Sequence, residues 1–367
     1  MPAARHYDAI IIGAGAAGLY CAALAGQRGR KILLIDHNDA PGAKILISGG
    51  GRCNFTNIGA SHDNFLSANP HFAKSALSRH TPADFIALVE RHGIAWHEKT
   101  LGQLFCDGSA KQIVAMLLDE CDAGGVDLAF GAAATVDHRD GRFHVNAATA
   151  PALVLATGGL SIPKLGATSF AYDTARRFGL KIVEPRPALV PLTLSGGDAL
   201  FSSLSGVSAE VIARAGTGAF REAALFTHRG LSGPAILQIS SYWRNGETVG
   251  IDFLPDRAPG WLRAAKRDER RTTLRRLLAR ELPARLAETL AEQLALPSEL
   301  ANIPDRALDA AAARLADWRF TPDGSEGFAK AEVTIGGIST AELSSQTMES
   351  KRLPGLFAIG EAVDVTG

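Results

Sequence analysis

Cysteine is scarce in this sequence, and long apolar runs are absent. Four cysteines, Cys21, Cys53, Cys106 and Cys121, occur among 367 residues, without a CxxC pair or any spacing suited to zinc or an iron–sulfur cluster. We therefore predict no metal site and a reducing compartment. The N-terminus has no apolar signal region, and no apolar stretch of about 18 residues follows it. These absences predict a cytoplasmic protein with no membrane partner.

Neither sign of charge dominates. Lys plus Arg and Asp plus Glu each total 38, so the overall field does not indicate binding to nucleic acid or to an anionic membrane, although a local basic patch stays open. Hydrophobic residues make up 46%, which is typical of a globular protein. The length favours a main domain with one or two insertions and leaves the oligomeric state undetermined.

A strand–turn–helix–strand pattern opens the chain. Residues 8–12 and 31–35 are β-branched or apolar runs, and the Ala-rich residues 16–25 between them favour a helix. A GxGxxG motif lies at the first turn, and Asp36 follows the second strand. In this context the motif predicts dinucleotide binding, with the pyrophosphate at the helix N-terminus and Asp36 at a ribose. The binding residues predicted here are Gly13, Gly15, Ala16, Ala17, Gly18 and Asp36.

Two distant segments favour FAD over NAD. One is a strand that runs into a glycine pair, and the other is a strand that runs into Gly-Glu near the end of the sequence. The second would bring a carboxylate to the ribityl hydroxyls of a flavin, although a plain β-turn is the alternative interpretation. The predicted residues are Ala156, Thr157, Gly158, Gly159, Gly360, Glu361 and Asp364.

Residues 42–57 are too rich in Gly, Ser and Asn for a regular element, so we expect an ordered, functional loop. Its glycines allow close backbone approach, and its polar end supplies donors for phosphate or flavin oxygens. The predicted binding residues are Lys44, Ser48, Gly50, Gly51, Arg52, Cys53 and Asn54. For Cys53 we favour packing near the flavin over catalysis, because no other cysteine is near in sequence.

Changes in amino-acid composition and in the pattern of apolar residues along the chain predict the domain organisation. The fold class expected is α/β: a discontinuous Rossmann-type FAD domain (1–190 and 326–367), a β-rich insertion (191–255) and a helical insertion (256–325). The β-rich part shows short alternating apolar runs, whereas the helical part is rich in Leu, Ala and Arg and is broken by prolines.

These motifs together resemble a known family, the BaiN/RdsA-like FAD-binding oxidoreductases, also described as aminoacetone oxidase-like. The resemblance rests on the GxGxxG start, SGGGRCNFTN, ATGG, FTHRGLSGP, AEVTIGG, TMESK and GEAVDVTG. It covers nearly the whole chain and implies the three-part fold and the FAD cofactor. Residues 169–173 depart from the family's Gly-Asp-Gly pattern, so we expect them to sit differently. Family members also continue past Gly367 into a last helix, so either the sequence is a fragment or flavin affinity is reduced. Without this helix we expect a lower flavin potential.

The resemblance also implies where substrate is handled. It places the turn with Thr227, His228 and Ser232 over the flavin, and Thr227 and His228 are the candidate catalytic residues. An imidazole transfers protons near neutral pH, although a lone loop histidine is more often structural or merely exposed.

Three functions remain open at this stage. The family is associated with NADPH- or NADH-driven reduction of C=C bonds, including uridine to dihydrouridine in ribosomal RNA, and with oxidation of small amines. A non-catalytic flavin-binding assembly protein is the third. With one GxGxxG motif, any NAD(P)H would bind transiently at the flavin. The helical insertion also contains a basic cluster: Lys266, Arg267, Arg270, Arg271, Arg275, Arg276 and Arg280. Two interpretations are open: the cluster contacts RNA, or it forms the solvated face of an amphipathic helix.

Overall fold

The computed structural model describes residues 5–367, and this part of the chain divides into two compact units. The first unit joins residues 5–186 with 333–367, and the second comprises 187–332. The expected β-rich and helical insertions, residues 191–255 and 256–325, both fall in the second unit. The three-part division therefore stays a prediction, and the units are described separately below.

Strands and short helices alternate along the described chain. The strands are β1 (Arg5–His6), β2 (Ala9–Ile12), β3 (Ile32–Ile35), β4 (Asn54–Asn57), β5 (Trp96–Glu98), β6 (Gln103–Cys106), β7 (Asp127–Ala129), β8 (Val136–Arg139), β9 (Arg142–Val145), β10 (Ala148–Ala150), β11 (Ala152–Leu155), β12 (Ile182–Ala188), β13 (Leu192–Thr193), β14 (Ser208–Ala215), β15 (Gly218–Thr227), β16 (Gly230–Ser232), β17 (Val249–Asp252), β18 (Trp318–Phe320), β19 (Gly324–Ser325), β20 (Val333–Ile338) and β21 (Leu356–Ala358). The α-helices are α1 (Ala16–Gln27), α2 (Ala43–Ile47), α3 (Lys74–Arg79), α4 (Pro82–Arg91), α5 (Ala110–Ala123), α6 (Phe170–Arg177), α7 (Pro234–Ser240), α8 (Trp261–Asp268), α9 (Leu274–Leu278), α10 (Ala284–Leu294) and α11 (Asp305–Ala316). Among the residues described, no helix has both the length and the apolar character needed to cross a membrane.

A five-stranded parallel sheet organises the first unit. Its strand order is β21-β11-β2-β3-β7, and every neighbouring pair is parallel. Side chains alternate across it, so Ile11, Leu34 and Val154 pack with α1 and α5, whereas Ile10 and Leu153 pack on the opposite face with α6. Both faces are therefore covered, as a parallel sheet requires. The α/β prediction of a Rossmann-type core is confirmed.

Side-chain caps start two helices of this unit. The Thr81 hydroxyl accepts from the Asp84 N–H before α4, and Ser109 pairs in the same way with Gln112 before α5. In both cases the third residue returns a bond to the cap, which satisfies backbone donors that a helix start leaves unpaired. The two helix starts are therefore encoded locally.

The expectation of an irregular loop over residues 42–57 is wrong. Helix α2, a 3-10 turn (Ser48–Gly51) and strand β4 occupy most of this segment. Strand β4 pairs antiparallel with β6, and Asn57 of β4 faces Gln103 of β6. Because this partner lies far along the chain, the local composition of residues 42–57 could not indicate the strand.

The second unit is a seven-stranded antiparallel sheet covered by helices. The strand order is β18-β17-β14-β15-β16-β13-β19. Sheet residues such as Phe226 and Phe320 share one hydrophobic core with Leu278, Leu290 and Leu308 of the helices. The Leu-rich face expected of the helical segment therefore packs on the sheet.

We predict that Glu120 stabilises the first unit through its charge. His92 Nε2 lies 2.7 Å from Glu120 Oε1, and the Gln27 side chain donates to Oε2 at 2.7 Å. The bond from His92, followed by that from Gln27, lowers the pKa of Glu120. We expect Glu120→Gln to lower the free energy of unfolding at pH 7 by about 1 kcal/mol. The measurement is urea unfolding of the parent protein and the variant.

The sign of the pH dependence follows from the lowered pKa of Glu120. Stability from a carboxylate of this kind is fully present above its unfolded pKa, about 4.3, and is lost as the pH falls through the lower folded pKa. The difference between parent and variant should therefore shrink below about pH 4. Glu90→Gln, at an exposed position of α4, is the control. A difference of equal size at pH 7 and at the acid end would contradict this explanation.

Candidate functional site

The carboxyl ends of four parallel strands meet at one edge of the first unit's sheet. Strand β2 leads into the GxGxxG turn, β3 into Asp36, β11 into Ala156–Gly159, and β21 into Gly360–Glu361. Ligands of open α/β sheets bind at this edge, where the order of connections reverses. Segments far apart in sequence are therefore neighbours here.

Two glycines of the GxGxxG turn have different surroundings. A Cβ at Gly18 would lie 1.8 Å from the Gly13 carbonyl oxygen, so Gly18 allows α1 to approach the turn. A Cβ at Gly15 would meet no protein atom within 4 Å. The space above Gly15 is therefore open, next to the N-terminus of α1, whose first N–H groups lack partners within the helix.

The carboxylate of Asp36 is held by two backbone N–H groups at the end of β3. Its Oδ2 accepts from the Ala14 N–H at 2.6 Å, and its Oδ1 accepts from the Asn38 N–H at 2.8 Å. The residue is only 9% exposed. Each carboxylate oxygen keeps a further lone pair, so the group can also accept hydroxyl donors of a ribose.

Glu361 is the second fixed carboxylate. Lys44 Nζ donates to its Oε2 at 2.6 Å and to Ser161 Oγ at 2.7 Å. The Thr334 N–H donates to Oε1 at 2.7 Å, and Ser161 Oγ donates to the same oxygen at 3.2 Å. Donors from three distant segments thus orient one carboxylate, and the ion pair is largely shielded from solvent on the glutamate side.

A cavity of about 660 Å³ joins these groups. Asp36 and Asn38 lie at one part of its wall with Ala132–Ala134, and Lys44, Ser161 and Glu361 at another. The predicted binding residues that line it are Gly13, Gly15, Ala16, Ala17, Asp36, Lys44, Ala156, Thr157, Gly158, Gly159, Gly360 and Glu361. Those outside the lining are Gly18, Ser48, Gly50, Gly51, Arg52, Cys53, Asn54 and Asp364. The binding roles of both groups stay predictions.

Several polar groups at this cavity were not predicted from the sequence. Ser161 and Thr334 bind Glu361, and Asn38 lines the wall beside Asp36. The hydroxyl of Thr157 is shielded from solvent and has no partner in the part of the chain described. The Tyr172 hydroxyl of α6 is in the same condition, and burial, followed by the charge of Glu361, raises the pKa of that phenol. Only the alternation of Ser and Thr with apolar residues could have indicated Ser161 and Thr334.

Comparison with known proteins decides the family. The family described as HI0933-like protein Rossmann domain matches residues 7–367. This chain belongs to that family. Its members are FAD-dependent oxidoreductases, so the resemblance found in the sequence motifs is confirmed.

Two relatives are similar over nearly the full chain. The ribosomal RNA dihydrouridine synthase of Escherichia coli (strain K12) is 51% identical over 99% of this chain and 93% of its own length. The enzyme of the same name from Haemophilus influenzae is 45% identical over 99% and 94%. The solved structure of a 3-ketosteroid-delta4-(5alpha)-dehydrogenase from Rhodococcus jostii RHA1 has a TM-score of 0.51 at 12% identity, covering 98% of this chain and 91% of that one, which shows the fold alone.

The cavity fits FAD. Open space at Gly15 matches a pyrophosphate that approaches the helix N-terminus, and the two fixed carboxylates, Asp36 and Glu361, suit the hydroxyls of the ribose and of the ribityl chain. The unpaired hydroxyl of Thr157 offers one more polar contact. Lys44 is the one Lys or Arg side chain of the lining, and its ammonium group pairs with Glu361.

Two predicted side chains, those of Cys53 and Asp364, are buried outside the cavity lining. Cys53 is 5% exposed, and burial raises the pKa of its thiol, so it is a poor nucleophile at neutral pH. Asp364 is 3% exposed and accepts from the Ala68 N–H at 3.1 Å, and burial raises its pKa. Among residues 5–367, no cluster of three His, Cys, Asp or Glu side chains could hold a metal ion.

The candidate catalytic residues lie in the second unit. Thr227 ends β15, and His228 is exposed in the turn that leads to β16. The side chain of Thr227 bonds to the backbone of this turn. Ser232, at the end of β16, is half-buried. Their catalytic roles stay predictions.

The basic cluster of the same unit is partly neutralised. Lys266 contacts Asp305 at 2.8 Å, Arg275 contacts Glu288 at 2.7 Å, and Arg280 contacts Glu269 at 2.6 Å. The remaining members are exposed and show no side-chain hydrogen bond or ion pair within the described chain: Arg267, Arg270, Arg271 and Arg276. The charges of Arg267 and Arg276 still contribute to the lowered pKa values of Asp305 and Glu269. The leucines between them, Leu274, Leu277 and Leu278, are buried.

Gly15→Ala and Gly18→Ala should separate ligand binding from folding. Gly15→Ala places its methyl group in the open space, so we expect a stability change under about 1 kcal/mol. We also expect FAD binding to weaken at least about tenfold, or ~1.4 kcal/mol. Gly18→Ala forces a clash with the Gly13 carbonyl and should destabilise the protein by about 1–3 kcal/mol.

Thermal unfolding of the FAD-free proteins and FAD titration by fluorescence measure the two effects. The Gly18→Ala variant serves as the comparison for damage that acts through the fold. Unchanged FAD affinity in Gly15→Ala would show that no phosphate lies against this glycine.

Proposed function

We propose that this protein reduces uridine to dihydrouridine in ribosomal RNA, with FAD as cofactor and NADPH or NADH as electron donor. The observation that carries the proposal is the 51% identity, over 99% of the chain, to a ribosomal RNA dihydrouridine synthase. The cavity supports it because its residues fit FAD. A ribosomal RNA substrate would also agree with a cytoplasmic location.

The residues of the first unit would bind and orient the cofactor. When bound, FAD supplies hydride-transfer chemistry, and the protein supplies position and electrostatics. The N-terminus of α1 would hold the pyrophosphate, Asp36 the ribose and Glu361 the ribityl hydroxyls. Lys44 and Ser161 keep the Glu361 carboxylate in one orientation, so its contacts with the cofactor would need little rearrangement.

His228 would supply the proton that the reduction requires. Reduction of a C=C bond adds a hydride to one carbon and a proton to the other, and an imidazole N–H can donate that proton. His228 is exposed, and within residues 5–367 no hydrogen bond or ion pair engages its ring. The reductant NAD(P)H would bind transiently, since the chain has one GxGxxG motif.

We predict that reduced nicotinamide bleaches the flavin and that unmodified ribosomal RNA restores its colour. The FAD-loaded protein is reduced under anaerobic conditions with NADPH or NADH, and a ribosomal RNA transcript is then added. Nucleoside mass spectrometry should show uridine converted to a product with two additional hydrogens. A transfer RNA transcript is the control substrate.

Two outcomes would contradict this function. A flavin bleached by aminoacetone, but by neither nicotinamide, would indicate an amine oxidase. A flavin that no nicotinamide, amine or RNA affects would indicate a non-catalytic flavoprotein.

The four arginines of the cluster that form no ion pair are the proposed RNA contact. Guanidinium groups bind phosphates well, and those already held by carboxylates have less to offer. Arg267, Arg270, Arg271 and Arg276 are the exposed members that form no hydrogen bond or ion pair with a carboxylate in the described structure. We therefore assign RNA backbone binding to these four and not to all seven of the cluster.

The salt dependence of RNA binding tests this assignment. The double variant Arg270→Gln/Arg271→Gln should reduce the slope of log K against log salt by about 1.4, or ~0.7 for each lost contact with single-stranded RNA. The control is Arg221→Gln/Arg319→Gln, in which both arginines are held by carboxylates. Equal slopes in the two double variants would show that the predicted surface does not bind RNA.

A further inference from the structure

The turn between β15 and β16 is closed by a side chain as well as by its backbone. Thr227 faces Gly230 in the antiparallel ladder, so His228 and Arg229 alone form the loop. Thr227 Oγ1 accepts from the Arg229 N–H at 3.2 Å and from the Gly230 N–H at 3.1 Å. The same hydroxyl donates to the Gly230 carbonyl at 3.3 Å.

These three bonds use the whole capacity of the Thr227 hydroxyl. A hydroxyl has one donor and two acceptor lone pairs, and here each has a backbone partner. No lone pair or proton is left for a substrate. Thr227, a candidate catalytic residue from the sequence, therefore has no free group with which to transfer a proton itself.

The remaining residue of the loop is also anchored. The Arg229 carbonyl accepts from the Leu194 N–H at 2.9 Å, which ties the turn to β13. The Arg229 guanidinium lies 3.8 Å from Glu326, a side chain that is 12% exposed. His228 is the exception: its ring is exposed and has no hydrogen bond, ion pair or ring contact in the described chain.

We propose that Thr227 is a positioning residue, which fixes the backbone of the loop that carries His228, the residue whose imidazole donates the proton. This role rests on the function proposed above. In that reaction a hydride derived from NAD(P)H adds to one carbon of the C=C bond. The π electron pair of the C=C bond then forms a C–H bond with a proton at the other carbon. The proton comes from the imidazolium N–H of His228, whose bonding pair stays on nitrogen, and solvent then returns a proton to the ring.

Four variants test the role of Thr227: Thr227→Val, Thr227→Ser, His228→Gln and the double variant Thr227→Val/His228→Gln. We expect Thr227→Val to lower kcat on the ribosomal RNA transcript about tenfold with KM unchanged, because only the proton-transfer step suffers. Thr227→Ser keeps the hydroxyl and should retain kcat within about twofold. In the His228→Gln background, Thr227→Val should have no further effect, since both act on one step.

Either of two kinetic results would overturn the positioning role. If Thr227→Val lowers kcat by the same factor in the His228→Gln background as in the parent protein, Thr227 acts independently of the imidazole. Full kcat in Thr227→Val would show that the turn needs no hydroxyl. A wild-type protein that forms no dihydrouridine overturns the proposed function instead, so the two failures are distinguishable.

Amide hydrogen exchange gives a readout that does not depend on activity. The Arg229 and Gly230 N–H groups should exchange faster in Thr227→Val than in the parent protein, and at the parent rate in Thr227→Ser. FAD affinity, measured beside it, should not change in either variant. Unchanged exchange in Thr227→Val would mean that Thr227 does not hold the loop, and would overturn the proposal whatever the kinetics show.

Discussion

The parallel pairing of β2 with β3 on one side and β11 on the other is the constraint on which the site depends. Parallel strands all end at the same edge, so residues that follow them are neighbours whatever their distance in sequence. Glu361 contacts Lys44 although 317 positions separate them. Because the sheet is covered by α1 and α5 on one face and α6 on the other, its edge is the place where polar groups collect around open space.

Site residues that directly follow a strand could be predicted from the sequence, whereas site residues that other segments of the chain bring to the cavity could not. The GxGxxG turn, Asp36 and Glu361 each continue a short apolar strand, and local pattern shows this. Ser161 and Thr334 bind the Glu361 carboxylate from other segments, and no local signal connects them to it. The mistaken loop at residues 42–57 has the same cause, since β4 exists through its partner β6. Long-range pairing is thus the missing information in both cases.

The ion pairs of the basic cluster could not be predicted from the sequence either. The sequence counts seven basic residues in one stretch, but a count gives each cation equal weight. The structure separates them, because carboxylates from α10 and α11 hold Arg275 and Lys266. A cation that already has a carboxylate gains less from a phosphate, since it must exchange one anion for another. The arginines without an ion pair would therefore contribute more to the proposed RNA binding than their share of the cluster suggests.

The turn of the second unit shows why neighbouring polar residues need not share a role. Thr227 and His228 look equivalent as candidates when only their chemistry and proximity are known. Their hydrogen bonds separate them, because the Thr227 hydroxyl is fully used by the backbone whereas the His228 ring is free within the described chain. A group can take part in proton transfer only if it has a donor or acceptor to offer the substrate. The saturated residue is therefore suited to holding the loop, and the unsaturated one to the chemistry.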